Sequence, residues 1–156
     1  MSEVFISSPL GITKIMGDEN GVSIISILEQ GEPSKKIPKQ LKEAVTQLNE
    51  YFEGKRQNFD FTINPKGTDF QQKVWQELRN IPFGKTVSYL DLSKKIGDVK
   101  AIRAVASANG KNPLWIVIPR HRVIGTDGSL TGYAGGLWRK KWLLEHESPS
   151  LQHSLF

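Results

Sequence analysis

The run Thr86-Val87-Ser88-Tyr89-Leu90-Asp91-Leu92-Ser93-Lys94-Lys95-Ile96-Gly97-Asp98-Val99-Lys100-Ala101-Ile102-Arg103-Ala104-Val105-Ala106-Ser107-Ala108-Asn109 decides the fold of the second half of the chain. Thr86-Val87-Ser88 opens a helix on which Leu90, Leu92 and Ile96 are apolar, and Gly97 ends it. Gly97-Asp98-Val99-Lys100 then turns into a second helix over 101–109. Two helices joined by a short turn containing glycine are the helix-turn-helix pattern. Apart from Arg103 and Asn109, the second helix carries only small or apolar side chains. A helix that reads base edges in the major groove presents several long polar side chains. A smooth helix with one projecting arginine suits a narrow groove instead, with the arginine entering the stack as a wedge. An alanine-rich packing helix with a solvated arginine has the same spacing, so the spacing alone leaves both readings open.

Upstream, Thr68 with Gln71 three residues later is a capping box. The helix it opens carries Phe70, Val74 and Leu78 on one face and stops near Pro82. Asn64-Pro65-Lys66-Gly67 reads as a domain boundary. Before it, Val4-Phe5-Ile6 and Ile12-Thr13-Lys14-Ile15 flank a turn at Pro9-Leu10-Gly11, and Asp18-Glu19-Asn20-Gly21 is a second turn. Val22 to Leu28 is a β-branched third strand. A helix starts near Pro38, with Leu41, Ala44, Val45, Leu48 and Phe52 at helical spacing, and ends at Gly54. Phe59-Asp60-Phe61-Thr62-Ile63 alternates like a strand.

Downstream, Leu114-Trp115-Ile116-Val117-Ile118 reads as a buried strand or extended segment that delivers Pro119-Arg120-His121-Arg122 to a surface. Thr126-Asp127-Gly128-Ser129 is a turn, and Thr131 to Gly136 is a loop of small residues around Tyr133. A last helix carries Leu137, Lys140, Lys141, Leu144 and Glu147, and the tail beyond Ser148 is expected to fray. The expected fold is therefore α/β. A small N-terminal α/β domain over 1–64 (strands plus one helix) supports a mainly helical DNA-binding domain over 65–149 with a helix-turn-helix, and 150–156 is a tail.

Charge separates the two parts. Residues 1–64 hold 7 Lys/Arg and 9 Asp/Glu, a net of −2, and the remainder holds 14 and 7, a net of +7, so that the whole chain is +5. A basic half beside a mildly acidic one is the footprint of a domain that meets a polyanion, although lysines falling late in an ordinary soluble protein give the same totals. No apolar run approaches the roughly 20 residues that span a bilayer, and the first residues lack the pattern of a signal peptide. The expectation is a cytoplasmic monomer with no membrane partner. With no cysteine and three histidines, disulfides are excluded, and neither a metal nor a cofactor is expected.

From residue 67 to 147 the chain closely resembles the alkylguanine-DNA alkyltransferase family, the methylated-DNA–protein-cysteine methyltransferases. The matching pieces run in order. They are Gly67-Thr68-Asp69-Phe70-Gln71-Gln72-Lys73-Val74-Trp75, Ile81-Pro82-Phe83-Gly84-Lys85-Thr86, Ser88-Tyr89 and Ala101-Ile102-Arg103-Ala104-Val105. They continue through Asn112-Pro113, Ile118-Pro119-x-His121-Arg122-Val123, Gly132-Tyr133-Ala134-Gly135-Gly136-Leu137 and Lys141-Trp142-Leu143-Leu144-Glu145-His146-Glu147. The first 64 residues are compatible with the family's small α/β domain. An alkyl group on the exocyclic oxygen of guanine lies inside the duplex, so the nucleotide must be extruded, at a cost of a few kcal/mol. The resemblance implies that Arg103 fills the vacated space and that Tyr89 presses on the adjoining phosphate. It implies that Ala104 and Ala106 permit close approach to the minor groove, and it puts Arg122 at the DNA. Val123, Tyr133, Ala134 and Gly135 would surround the extruded base, and Asn112 would brace the turn before the active-site segment.

The resemblance also exposes a conflict. In the family a cysteine stands between Pro119 and His121 and takes the alkyl group irreversibly, because a thiolate is a strong, soft nucleophile at accessible pH. The following histidine, oriented by a glutamate on the last helix, draws off the thiol proton, and His121 with Glu147 occupies those positions. His121 alone reads more readily as a structural residue, but with Glu147 and the whole motif the relay is the better reading. At the acceptor position, however, stands Arg120, which has five donors and no lone pair for attack. No other cysteine can substitute. Three readings follow: a DNA-repair protein that binds O-alkylated guanine and presents it to other repair proteins without transfer; a methyltransferase whose cysteine has been replaced; and a general helix-turn-helix DNA-binding module. Since burying the arginine without a charged partner costs several kcal/mol, its guanidinium is expected to point toward the pocket mouth or a phosphate.

Overall fold

The computed structural model describes residues 1–125, 133 and 135–148. The chain divides into two compact units, Met1–Lys66 with Pro113–Trp115, and Gly67–Asn112 with Ile116–Phe156.

In the first unit, β1 (Ser2–Ser8), β2 (Gly11–Asp18) and β3 (Gly21–Leu28) form an antiparallel sheet in sequence order. The register sets Val4 opposite Ile15 and Ile15 opposite Ile25. Alternation then turns Val4, Ile6, Ile15 and Ile25 into the core. Helix α1 (Lys42–Phe52), entered through a 3-10 turn at Lys39–Leu41, buries Ala44, Val45, Leu48 and Tyr51. The expected strand at 59–63 is instead extended chain with one isolated parallel bridge, Val22 to Ile63. Aromatic packing holds it there, with Phe59 5.5 Å from the Tyr51 ring and 6.0 Å from that of Phe61. Residues 113–115 lie along β3, where Ile25 N donates to Pro113 O at 2.9 Å and Trp115 N to Ile25 O at 3.0 Å.

The second unit is mainly helical. Thr68 caps α2 (Asp69–Arg79) through the reciprocal bonds with Gln71. On α2 the expected face is corrected in part: Val74 and Leu78 are buried, but Phe70 is 37% exposed and Trp75 enters the core in its stead. The physical reason is polar as well as apolar, because Trp75 Nε1 donates to the buried carbonyl of Ala108 at 2.8 Å. After β4 (Val87–Ser88), Ser88 caps α3 (Tyr89–Ile96) by accepting from Asp91 N. Gly97 ends α3 at φ 105°, a left-handed conformation that glycine adopts without a Cβ clash. A 3-10 turn at Val99–Ala101 leads into α4 (Ile102–Gly110). A two-residue strand, β5 (Val123–Ile124), pairs in parallel with β4, and α5 is Leu137–Glu147. Among the described residues no helix is long and apolar enough to cross a membrane.

Candidate functional site

The segment before the site is buried as expected, but it is neither the strand nor the extended segment read from its composition. Residues 115–118 form turns and bends, and only Leu114 makes an isolated bridge, with Ile25. Ile116 sits at φ 73°, a conformation that costs a β-branched residue on the order of 1–2 kcal/mol. Periodicity could not show this, because the run is apolar whether it is straight or folded back. The turn is braced by Asn112, whose Nδ2 donates to Ile118 O. Pro119 at φ −83°, ψ 69° then makes an inverse γ-turn, with Arg120 N donating to Ile118 O at 2.8 Å. A 3-10 turn at Arg120–Arg122 follows and puts all three side chains inside the unit.

Arg120, whose guanidinium was expected at the pocket mouth or a phosphate, is only 9% exposed and lines a cavity. Its Nη1 donates to Gly110 O at 2.9 Å, and its guanidinium carbon lies 4.6 Å from the centre of the Tyr133 ring. Both neighbours offer negative potential without formal charge. Gly110 O is a carbonyl at the C-terminal end of α4, where the helix dipole is negative, and Tyr133 presents its ring face. That is how the arginine is accommodated with no acid partner among the described residues.

Behind it, His121 is fully buried and its Nε2 lies 2.7 Å from Glu147 Oε2. Arg122 grips the same carboxylate, Nε to Oε1 at 2.8 Å and Nη2 to Oε2 at 3.0 Å, while Nη1 donates to Ile81 O at 2.7 Å. Burial lowers the His121 pKa against the opposing pull of Glu147. Burial works to raise Glu147, but His121 and Arg122 together outweigh it and hold the carboxyl well below the usual carboxylate range. The bidentate guanidinium keeps Glu147 ionised even while His121 is neutral. An ionised carboxylate can only accept, so neutral His121 donates from Nε2 and keeps its lone pair on Nδ1. That atom is buried with no partner among the described residues. The expected DNA role of Arg122 is corrected here: at 6% exposure, with its fork committed to Glu147, it is an interior clamp.

The other site residues fall into two groups. Arg103 and Ala104 lie on the exposed face of α4, and Ala106 is half-buried. Tyr89, Ala106, Asn109, Gly110, Arg120, Tyr133 and Lys140 line a cavity of about 120 Å³. Asn109 Nδ2 donates to the Tyr89 hydroxyl at 3.2 Å. Val123 is buried beneath, and its carbonyl accepts from Lys140 Nζ at 2.8 Å. Gly135 O accepts from Arg139 at 2.7 Å. Ala134, like the turn at 126–129 and the tail from 149, lies outside the described residues. Sequence reasoning missed Lys140 and Asn109 as cavity residues. The available signal for Lys140 was its place on α5 seven residues before Glu147, two turns away on one side of the helix.

Comparison with known proteins bears on the family and the fold. Residues 69–149 match the model of the 6-O-methylguanine DNA methyltransferase DNA-binding domain, and 1–65 match that of the same family's ribonuclease-like domain. A methylated-DNA–protein-cysteine methyltransferase of Methanosarcina barkeri is 44% identical, covering 94% of this chain and 97% of its own. The crystal structure of the Mycobacterium tuberculosis O6-methylguanine methyltransferase superposes with a TM-score of 0.83 at 43% identity, covering 93% and 91% of the two chains. The Mycobacterium tuberculosis OGT in complex with DNA gives 0.85 at 44% identity, with the same coverage. On the two domain matches and this identity along nearly the whole length, the chain belongs to the 6-O-methylguanine DNA methyltransferase family of DNA repair proteins.

Proposed function

We propose that this protein binds duplex DNA through the minor groove as a monomer and captures O-alkylated guanine without removing the alkyl group. The observation that carries the reading is Arg120, at the position where the family's acceptor cysteine stands, in a chain with no cysteine at all. A guanidinium has five donors and no electron pair available for the alkyl carbon. The α4 face with Arg103 and Ala104 exposed supports groove approach and a wedge role for Arg103. Residues 65–149 do this work, and 1–64 support them.

As it stands, Arg120 restricts entry. An enclosed apolar cavity of about 150 Å³ takes a benzene ring, so about 120 Å³ is short of a whole base. Admitting one requires the guanidinium to leave Gly110 O and Tyr133. That forfeits a charged hydrogen bond, about 1.5–3 kcal/mol, and a cation–π contact, about 0.5–2 kcal/mol. Lesion capture is then slowed and weakened by Arg120, not abolished. A titration with duplexes differing by one alkylated guanine tests the reading. Tighter binding to the lesion with no label passing to protein supports it; equal affinity for both duplexes contradicts it.

One observation favours a second reading, an alkyltransferase that has lost only its acceptor. The His121–Glu147 pair is intact at 2.7 Å with Nδ1 unengaged, although no thiol is present for it to deprotonate. Under that reading Arg120→Cys restores transfer of label from methylated DNA. A folded, DNA-binding R120C chain that takes no label tells against it.

A further inference from the structure

Two cationic side chains share the small cavity, and the inference from them rests on the lesion-binding reading above. Arg120 and Lys140 are 9% and 1% exposed. The remaining described lining is Tyr89, Ala106, Asn109, Gly110 and Tyr133, so no carboxylate lines the cavity among the described residues. Each cation touches a backbone carbonyl, Arg120 that of Gly110 and Lys140 that of Val123. Only one of the five guanidinium donors is engaged by a described acceptor. Asn109, 5% exposed, adds an unpartnered Oδ1 to the same wall. A half-turn of its amide would let that oxygen accept from the Tyr89 hydroxyl and offer Nδ2–H to the cavity. The walls thus supply a planar fork, an ammonium and an amide around a space of about 120 Å³.

We propose that Arg120 and Lys140 form an oxyanion site that selects guanine adducts whose O-linked group ends in a carboxylate over neutral adducts of the same size. A carboxylate accepts two parallel bonds from the guanidinium fork and sits beside the ammonium as a point charge. The space is short of a whole base, and once the guanidinium has left Gly110 O to admit one, its freed fork can follow an O-linked arm of a few atoms. The strain it relieves is visible in Lys140, whose pKa is pushed down to about 8 by burial and by the neighbouring Arg120 charge. Among the described residues, Arg120 and His121 are charged and titratable groups that face Lys140, with Tyr89 and Tyr133 on the cavity wall. The other oxyanion available on DNA is a backbone phosphate, which every duplex carries.

The test titrates the full chain with three duplexes: undamaged, and bearing O6-carboxymethylguanine or its neutral isostere O6-carbamoylmethylguanine. The acid adduct is expected to bind about tenfold tighter or more than the amide, the value of one charge-assisted hydrogen bond. R120Q is expected to bring that ratio near one, mainly by weakening the acid adduct. Calorimetry in two buffers at pH 8 should show proton uptake with the acid adduct and none with the amide, and K140M should abolish the uptake. Equal affinity for acid and amide adducts, both above undamaged DNA, overturns the oxyanion site and leaves lesion binding standing. No preference for either adduct removes lesion binding as well. A uniform loss on all three duplexes in R120Q means a phosphate contact and also overturns the proposal.

Discussion

Replacing Arg122 with methionine separates an interior clamp from a DNA contact. The variant keeps the length of the stem and deletes three bonds, two to Glu147 and one to Ile81 O. Glu147 is left as a carboxylate with a 1% exposed side chain. The described contacts that remain to it include His121 and a long contact from Gly84 N at 3.4 Å. Removing one partner of a buried ion pair costs about 3–5 kcal/mol, and the stranded Ile81 carbonyl keeps the total at the upper part of that range. For a chain of this size that corresponds to a fall in melting temperature of about 6–20 °C. Urea denaturation at neutral pH gives the difference from the midpoint and slope. The double variant R122M/E147Q no longer buries an unpaired charge, so it should be more stable than the sum of the single losses by about 1–3 kcal/mol. A stability loss below about 1 kcal/mol with DNA affinity falling uniformly would refute the interior assignment.

Stability should also fall on acidification in two stages. His121 has a folded pKa below its unfolded value near 6.5, so the unfolded chain binds the proton first and stability is lost as pH falls from there. Glu147 is held below its ordinary value near 4.5, so its contribution is present above that pH and is lost below it. Each group contributes at most about 1.4 kcal/mol per pH unit, and H121Q should remove the upper stage from urea curves run between pH 7 and 4. Trp75→Phe removes the indole donor from the Ala108 carbonyl, which keeps its bond from Lys111 N at 3.2 Å, so it should cost about 0.5–1.5 kcal/mol by the same measurement. Arg103→Ala should weaken lesion duplexes more than undamaged ones; equal loss on both would remove the wedge role.

What was legible in the sequence was local. The capping box at Thr68 and Gln71, the cap at Ser88 and the left-handed Gly97 are each satisfied by residues within one turn, so residue type and spacing were enough. The three strands of the first unit followed from the turn signals at 9–11 and 18–21 and from β-branched residues, whereas the alternation at 59–63 did not make a strand. The apolar run 114–118 misled, because its turn is fixed by Ile116 at positive φ, by the γ-turn at Pro119 and by Asn112, none of which changes the hydrophobic pattern. Arg122 looked like a basic surface residue because its partner lies 25 residues away. The burial of Arg120 depended on a helix-end carbonyl and a ring face, neither of which sequence charge can register.

The central claim is recognition without transfer at Arg120. One assay addresses it: incubate the chain with a duplex carrying radiolabelled O6-methylguanine, and read bound complex and protein-attached label from the same samples. The account predicts complex formation above that of undamaged duplex, with label remaining on the DNA at every time point. Label covalently attached to protein, or binding no tighter than to undamaged duplex, would contradict it.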